Sequence, residues 1–315
     1  MSEPLLALVG PTASGKTEAG IEIAERLGAE IVSIDSMLVY RGLDIGTAKP
    51  TEADRARVPH HLIDVVDPSE PFTVQRFQQL ARAAIEAIRG RGSTPLLVGG
   101  SGLYMRAVAD DLEFPGTDDR TRHELERSAA ALGPERLHAR LADLDPVAAA
   151  KIEPANQRRT IRALEVAAIT GHPFSDFAAA WGRYPQERLH AAGIEIARPA
   201  LAARIGARVD AMIDAGFVGE VAGLLRDGFG GRLTATQAIG YAEIARHLAG
   251  ELTLEEAVAA TAKRTRNLAR RQMAWFAKDP RVRWVTVGEG GATTAVDTLR
   301  DMLIAVTPSA LRGSI

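Results

Sequence analysis

Apolar positions fall into two patterns along this chain: short continuous runs near its start and helix-spaced sets thereafter. Leu5 to Val9 is an apolar run that stops at Gly10, as in a strand buried on both faces. From Thr17 to Leu27, Ala19, Ile23 and Leu27 share one helical face, and Gly28 supplies the stop. "EIVSID" predicts a second strand ending at Asp35, and "HHLIDV" a third. Phe72 to Arg89 predicts an amphipathic helix carrying Phe77, Leu80, Ala84, Ile85 and Ile88. "TPLLVGGSGLY" predicts strand, glycine turn and helix start. Three strand–helix units in close succession predict an α/β fold with a doubly wound parallel sheet.

The pattern changes near Phe114. "FPGTDD" is loop-like, and Arg120 to Ile169 is rich in Ala, Leu, Arg and Glu, broken at "GPE" and "EPAN". Residues 115–191 are therefore expected to form an all-helical insertion. "AGIEIARP" predicts a returning strand, then a long helix with Pro199 in its first turn. Further helices are expected to run to Lys278, and "VRWVTV" predicts a last strand. The core domain is expected to be built from 1–114 and 192–315.

Composition narrows the function classes. The chain has 315 residues and a formal net charge of −2, so a polyanion would have to be held by local basic patches. It has no cysteine, which excludes disulfides, thiolate metal sites and cysteine nucleophiles and fits a reducing, cytoplasmic setting. The start of the chain lacks a basic region and a long apolar stretch, so no signal peptide is expected. No apolar run reaches the ~18 residues that would span a bilayer. Neither a heptad nor an apolar patch asks for a partner, so a monomer is expected.

"GPTASGKT", Gly10 to Thr17, fits the phosphate-cradling pattern G-x-x-x-x-G-K-[ST] and sits between a strand and a helix. Backbone N–H groups and the helix N-terminus form an anion nest there. Lys16 adds a cation, and the Thr17 hydroxyl is placed to ligate Mg²⁺ or a phosphate oxygen. Asp35, at a strand's carboxyl end, is expected to face the same crevice. It has three readings: Mg²⁺ bound through water, proton acceptance from a nucleophile, or a turn cap. The glycine turn Gly99 to Gly102 lines the crevice as well, with Ser101 offering a hydroxyl. Asp64 is the nominee for a strand-borne metal carboxylate. His60 and His61 are neighbours on a strand and point to opposite faces, so they do not make a zinc site.

Lys263 to Lys278 contains six basic residues and no acid. On a helical wheel Lys263, Arg264, Arg266, Arg270, Arg271 and Lys278 fall within an arc of roughly 160°. Leu268, Met273, Trp275 and Phe276 lie opposite, which predicts a helix docked on one side and cationic on the other, suited to a phosphate backbone. Arg158, Arg159 and Arg162 form a smaller cluster, either for the same polyanion or for ion pairs with Glu153 or Glu165. Arg204 and Arg208 are one helical turn apart and read equally as leaving-phosphate contacts or a surface pair.

These stretches together resemble the tRNA dimethylallyltransferase (tRNA isopentenyltransferase) family. The resemblance rests on "GPTASGKT", "DSMLVYRGLDIGTAKP", "HHLIDVVDP", "PLLVGGSGLY", "DPVAAAKIEPANQRRTIRALEV", "RIGARVDAMIDAGFVGEV", "QAIGYAE" and "TRNLARRQMAWF", in the family's order from Gly10 to Phe276. It implies a P-loop NTPase-like core whose loop grips dimethylallyl diphosphate rather than ATP. It also implies prenyl transfer to exocyclic N6 of the adenosine 3′ of the tRNA anticodon, position 37. The diphosphate would lie against Gly10, Thr12, Ala13, Ser14, Gly15, Lys16, Thr17 and Arg208, with Mg²⁺ near Thr17. Asp35, Thr17 and Arg208 would be catalytic, Asp35 accepting the N6 proton. The anticodon stem-loop would meet Asp35, Ser36, Met37, Leu38 and Ser101; Gln157, Arg158, Arg159, Ile161 and Arg162 of the insertion; Gly240 and Tyr241; and Lys263, Arg266, Arg270 and Arg271. Two positions depart from the family: Leu38 stands where Gln is usual, which touches recognition of the target adenine, and Ser101 stands where Thr is usual.

Three alternatives share parts of this pattern. An ATP-dependent small-molecule kinase explains the loop but not the basic helix or "DIGTAKP". An AMP or ATP prenyltransferase shares the loop and Asp35 but needs no cationic surfaces. A non-catalytic RNA-binding protein leaves the loop and Asp35 without a role. Strong salt dependence of tRNA binding separates the transferase from the first two.

Overall fold

The computed structural model describes residues 3–110, 112–230 and 235–305. The outermost residues of the expected core ranges, 1, 2 and 306–315, lie outside the described residues. The chain opens with β1 (Leu5–Val9), α1 (Lys16–Leu27), β2 (Ala29–Ser33), α2 (Glu52–Arg57), β3 (His60–His61), α3 (Val74–Gly90), β4 (Thr94–Gly99) and α4 (Gly102–Ala109). Four helices follow: α5 (Asp119–Leu132), α6 (Pro134–Leu144), α7 (Pro146–Ala149) and α8 (Gln157–Thr170). The chain then returns through β5 (Leu189–Ile196), α9 (Arg198–Asp214), α10 (Phe217–Arg226), α11 (Tyr241–Leu248), α12 (Leu254–Phe276), β6 (Val282–Val287) and α13 (Val296–Ile304).

The strands form one parallel sheet in the order β3-β2-β4-β1-β5-β6. Its residues alternate between two cores, as the two-residue period of a strand requires. Leu5, Ala7 and Val9 of β1, Val32, Leu97 and Ala191 pack on one face with Phe77, Tyr104, Phe217, Tyr241 and Phe276. Leu6 and Leu8, with Ile31, Leu96, Val98, Ala192 and Ile194, pack on the other with α1 and α13. This is the α/β, doubly wound parallel sheet expected from the pattern. The near-continuous apolar reading of β1 follows from burial on both faces.

Two strand expectations need correction. Asp35 does not end β2; it lies two residues beyond Ser33, in the loop at the sheet's carboxyl edge. The run at "HHLIDV" pairs only over His60–His61. Leu62 and Asp64 have φ of 64° and 56°, which breaks the extended backbone there.

The chain divides into a unit of Met1–Ala109 with Pro185–Ile315 and a unit of Asp110–Tyr184. The helical segment expected over 115–191 thus begins and ends several residues earlier. At its end the physical reason is pairing: Leu189 already bonds beside Leu5 of β1. Within the helical unit α5, α6, α7 and α8 enclose Leu125, Leu137, Leu141, Ile152, Ala163 and Leu164. Its helices break once more than the sequence pattern indicates, at Asp145. That carboxylate accepts from the N–H of Ala148 at 2.9 Å and of Ser175 at 2.8 Å.

Helix α12 docks differently from the wheel. Its buried residues are Ala257, Thr261, Ala262, Ala269 and Phe276. Ala262 and Ala269 meet Ile205 and Val209 of α9 and Ala13 of the phosphate loop. Small side chains on this face let α9 and α12 approach closely. Trp275, placed by the wheel on the docked side, is 40% exposed.

Candidate active site

The loop between β1 and α1 carries the strain its sequence requires. Ala13 and Gly15 have φ of 64° and 85°, the left-handed geometry that turns successive N–H groups toward one concavity. Gly10 is buried; a Cβ there would lie 3.0 Å from Ile194 Cβ. Ser14 is fully buried and its carbonyl accepts from Ala292 N–H at 2.9 Å. Lys16 opens α1, with Nζ donating to the Pro11 carbonyl at 3.2 Å. Burial pushes its pKa from 10.5 down to about 8; Asp35 opposes the shift and Arg208 adds to it. An anion arriving beside it favours the charged form and opposes that shift. Thr17, next along α1, is exposed.

Asp35 is held by its own loop: Oδ1 accepts from Met37 N–H at 2.9 Å. It lines two cavities. One, of about 50 Å³, is shared with Lys16, Thr17, Leu38, His60 and Arg208. The other, of about 580 Å³, is lined by Thr12, Asp35, Ser36 and Met37, by Arg208 and Met212 of α9, and by Arg264, Arg271 and Gln272 of α12. A carboxylate between a cationic loop and a cavity with room for a planar base is placed to take a proton from a bound nucleophile. Lys16, Thr17 and Arg208 also share a cleft with Arg204 and Ala207.

The two arginines of α9 divide their work. Arg208 donates from Nη1 to Thr12 Oγ1 at 3.4 Å and from Nη2 to the Thr47 carbonyl at 3.2 Å. Burial lowers its pKa, with Asp35 opposing. Arg204 donates to the Ala13 carbonyl at 2.8 Å and the Glu289 carbonyl at 2.9 Å, so it anchors the loop's backbone. The surface-pair reading of these residues is therefore set aside.

Several sequence-nominated residues stand elsewhere. Asp64 is not at the loop; it pairs with Lys49 and with Arg55, which hold its carboxyl below the usual carboxylate range against burial. Tyr241 is fully buried, edge-on to Phe217, with its hydroxyl donating to Glu220 at 2.6 Å. Glu220 also accepts from the N–H groups of Asp44, Ile45 and Gly46, so Tyr241 supports the "DIGT" turn from behind instead of presenting its ring. Gly240 is buried beside it with φ 98°. Arg162 is taken up by Glu165 and by the carbonyls of Pro115 and Gly116, and Ile161 packs on the helical unit's core. Ser101 is not displaced: it caps α4, its hydroxyl accepting from Tyr104 N–H at 3.3 Å, in the glycine turn whose Gly99 lines the smaller cavity with Asp35.

Other nominees are accessible. Arg158 and Arg159 are exposed on α8, beside half-buried Gln157; Lys263, Arg266, Arg270 and Arg271 are exposed on α12. Arg264, counted on the wheel with this ridge, pairs with Glu243. Sequence reasoning missed Gln272, whose Oε1 accepts from Thr12 N–H at 2.9 Å. It also missed Glu220. Both lie within stretches that carry the family resemblance, but no local spacing points to the partner of either.

His60 and His61 do not converge. His61 Nε2 contacts Glu30 at 2.7 Å, while His60 Nδ1 contacts the Val58 carbonyl at 2.7 Å. Among the described residues no group of three or more His, Cys, Asp or Glu could hold a metal ion. Among the described residues the side-chain oxygens at the loop are the Thr12, Ser14 and Thr17 hydroxyls, with the Asp35 carboxylate beside them. Such a sparse set suits Mg²⁺, which keeps several waters and takes further oxygens from substrate phosphates.

Comparison with known proteins identifies the family and the fold. A family model described as IPP transferase matches residues 38–279, and one described as isopentenyl transferase matches residues 4–64. The chain is 51% identical over 310 residues to a tRNA dimethylallyltransferase of a Nocardioides species, covering 98% of this chain and 97% of that one. It is 52% identical over 289 residues to the tRNA dimethylallyltransferase of Desulforudis audaxviator, covering 91% and 93%. Among solved structures, the full-length tRNA isopentenylpyrophosphate transferase of Bacillus halodurans superposes with a TM-score of 0.70 at 41% identity, covering 96% of each chain. A eukaryotic dimethylallyltransferase acting on tRNA shares the fold, with a TM-score of 0.79 at 23% identity over 98% of this chain and 81% of that one. The chain belongs to the IPP transferase family.

Proposed function

We propose that this protein transfers a dimethylallyl group from dimethylallyl diphosphate to exocyclic N6 of the adenosine 3′ of the anticodon in tRNA, position 37, releasing diphosphate. The observation that carries the reading is the placement of Asp35 between two cavities: one shared with Lys16, Thr17 and Arg208, the other opening to Arg264 and Arg271 of α12. An allylic diphosphate in the loop and an adenine in the larger cavity would meet at this carboxylate.

In the transfer, the bond from allylic C1 to the diphosphate oxygen breaks, the bond from C1 to adenine N6 forms, and the N6 proton passes to Asp35. Charge grows on the departing diphosphate as the bond lengthens. Lys16 and Arg208, already fixed by the loop and by Thr47, meet that charge without reorganising. Mg²⁺, when bound at Thr17 and the diphosphate, would supply further charge neutralisation. The target base leaves its stack to enter the large cavity, as an enzyme acting on a base in structured RNA requires. Exposed Arg266, Arg270 and Arg271 of α12 suit the phosphates of the anticodon stem-loop, and Arg158 and Arg159 of the helical unit offer a second set. Leu38, in the smaller cavity, presents an apolar side chain beside Asp35. We further propose that the protein works as a monomer in the cytoplasm. No helix among the described residues is long and apolar enough to cross a membrane.

The test is direct. Purified protein, unmodified tRNA with adenosine at position 37, labelled dimethylallyl diphosphate and Mg²⁺ are combined, and the RNA is digested to nucleosides. N6-dimethylallyladenosine from that position alone is the expected product. Label in an AMP acceptor instead, or ATP consumption without label in RNA, would replace the proposal with one of the alternative enzymes.

A further inference from the structure

Thr12 is the corner of the phosphate loop where contacts from two distant helices meet. Its hydroxyl accepts from Arg208 of α9, and its N–H donates to Gln272 Oε1 of α12 across 260 residues of sequence. The other end of the Gln272 amide lies over the turn after β4, where a Cβ at Gly100 would collide with Nε2. One side chain therefore spans the turns that follow β1 and β4, which are neighbours in the sheet. Gln272 also lines the large cavity beside Arg271.

The hydrogen bond has a consequence for the nest. An N–H committed to an amide oxygen is withdrawn from any anion, and it fixes the plane of its peptide. With the Pro11–Thr12 peptide held, the Thr12 hydroxyl is aligned with Arg208 and the following N–H groups keep their common direction. Arg204 on the Ala13 carbonyl and Ala292 on the Ser14 carbonyl brace the next two peptides. Gln272 completes the set from the docked side of α12, the helix whose opposite side carries the exposed cations.

We propose that Gln272 is a positioning residue that presets the phosphate loop for diphosphate by holding the Thr12 N–H. The inference rests on the diphosphate reading of the loop given above. Gln272→Met keeps the length of the side chain and removes the acceptor. In that variant, inorganic diphosphate with Mg²⁺, measured by calorimetry, is expected to bind about tenfold more weakly. The KM for dimethylallyl diphosphate is expected to rise by a similar factor. Hydrogen exchange of the loop peptide 10–15 should accelerate, and the Kd for tRNA should stay within about twofold. If Gln272→Met does not fold, Gln272→Asn, polar but one methylene short of Thr12, carries the same expectations. A folded variant with wild-type diphosphate affinity overturns the proposal. So does weakened binding with unchanged loop exchange, because Gln272 would then act through the cavity and not through the loop. A wild type that binds no inorganic diphosphate would overturn the reading of the loop and this inference with it, before any variant is compared.

Discussion

Arg208 Nη1 lies 3.4 Å from Thr12 Oγ1, so a guanidinium from α9 closes over the loop that β1 and α1 create. The same side chain reaches the Thr47 carbonyl, which ties "DIGTAKP" to the loop. A planar fork in this position serves two directions at once, and an ammonium does not. Arg208→Lys is expected to lower kcat for prenyl transfer by about 10²- to 10³-fold, the usual cost of losing one fixed donor to a developing anion. Binding of tRNA should change little. Single-turnover transfer with saturating donor checks it; a kcat within threefold of wild type would remove Arg208 from charge stabilisation.

Asp35 shares its cavities with Lys16 and Arg208, and the hydrogen bond that holds its carboxylate, from Met37 N–H, comes from its own loop. Replacing it should therefore leave the fold intact. Asp35→Asn is expected to bind tRNA and donor within about twofold and to transfer about 10²- to 10⁴-fold more slowly, the range of general-base catalysis. Rapid-quench measurement of N6-dimethylallyladenosine decides the matter. Normal turnover would leave the carboxylate as a turn cap.

Lys16 makes the free site sensitive to alkaline pH. Its folded pKa is about 8 against 10.5 for the exposed group. Between those values the unfolded chain binds more protons than the folded one, so this group's contribution to stability rises as pH climbs from about 8 to about 10.5. A bound diphosphate reverses the preference by favouring the ammonium. Donor binding at pH 8.5 should then take up protons, and affinity should fall as pH rises through about 8. Calorimetry with a non-reactive thio-analogue of the donor, in two buffers of different ionisation enthalpy, measures the uptake. Zero uptake would mean that Lys16 is already fully protonated in the free site.

What could be read from the chain without coordinates depended on how local each interaction is. The loop was legible because Gly15, Lys16 and the flanking strand and helix all lie within one short stretch. The sheet was legible because β1 and β4 are apolar on both faces. Arg208 drew its role from the family pattern, since its partners Thr12 and Thr47 are 196 and 161 residues away. Gln272 was invisible for the same reason. The wheel misplaced Trp275 because α12 docks through Ala262 and Ala269 on α9: small side chains set the contact, and hydrophobic size does not reveal it. Asp64 was misassigned because the positive φ at Leu62 and Asp64 turns the carboxylate to Lys49 and Arg55.

The exposed cations of α12 should act through the number of phosphates they neutralise. Arg266, Arg270 and Arg271 stand free of acids on their own helix segment, whereas Arg264 is paired with Glu243. Replacing Arg270 and Arg271 together by Ala should weaken tRNA binding at low salt and reduce the slope of log K against log salt by about 1.5, close to 0.7–0.9 per lost contact. Arg264→Ala should change the slope less and lower stability instead. Filter binding across a salt series, with thermal melts alongside, separates the two; an unchanged slope in the double variant would return this face to bulk solvent.

Tyr241 provides the sharpest contrast between a contact with RNA and a support behind it. Its hydroxyl donates to Glu220 at 2.6 Å, and that carboxylate holds three successive N–H groups at Asp44, Ile45 and Gly46. Burial, chiefly, and the neighbouring Glu220 carboxylate hold the phenol well above its usual pKa, so it stays a donor at any working pH. Tyr241→Phe keeps the ring against Phe217 and deletes only this donor. The expected cost is about 1.5–3 kcal/mol of stability, the range for a hydrogen bond to a charged group. Because the "DIGT" turn leads into Thr47, and Thr47 accepts from Arg208, donor KM should rise while tRNA affinity is preserved. Denaturant unfolding and paired KM and Kd measurements test both parts. Loss of tRNA affinity at unchanged stability would mean that Tyr241 turns outward to meet the RNA after all.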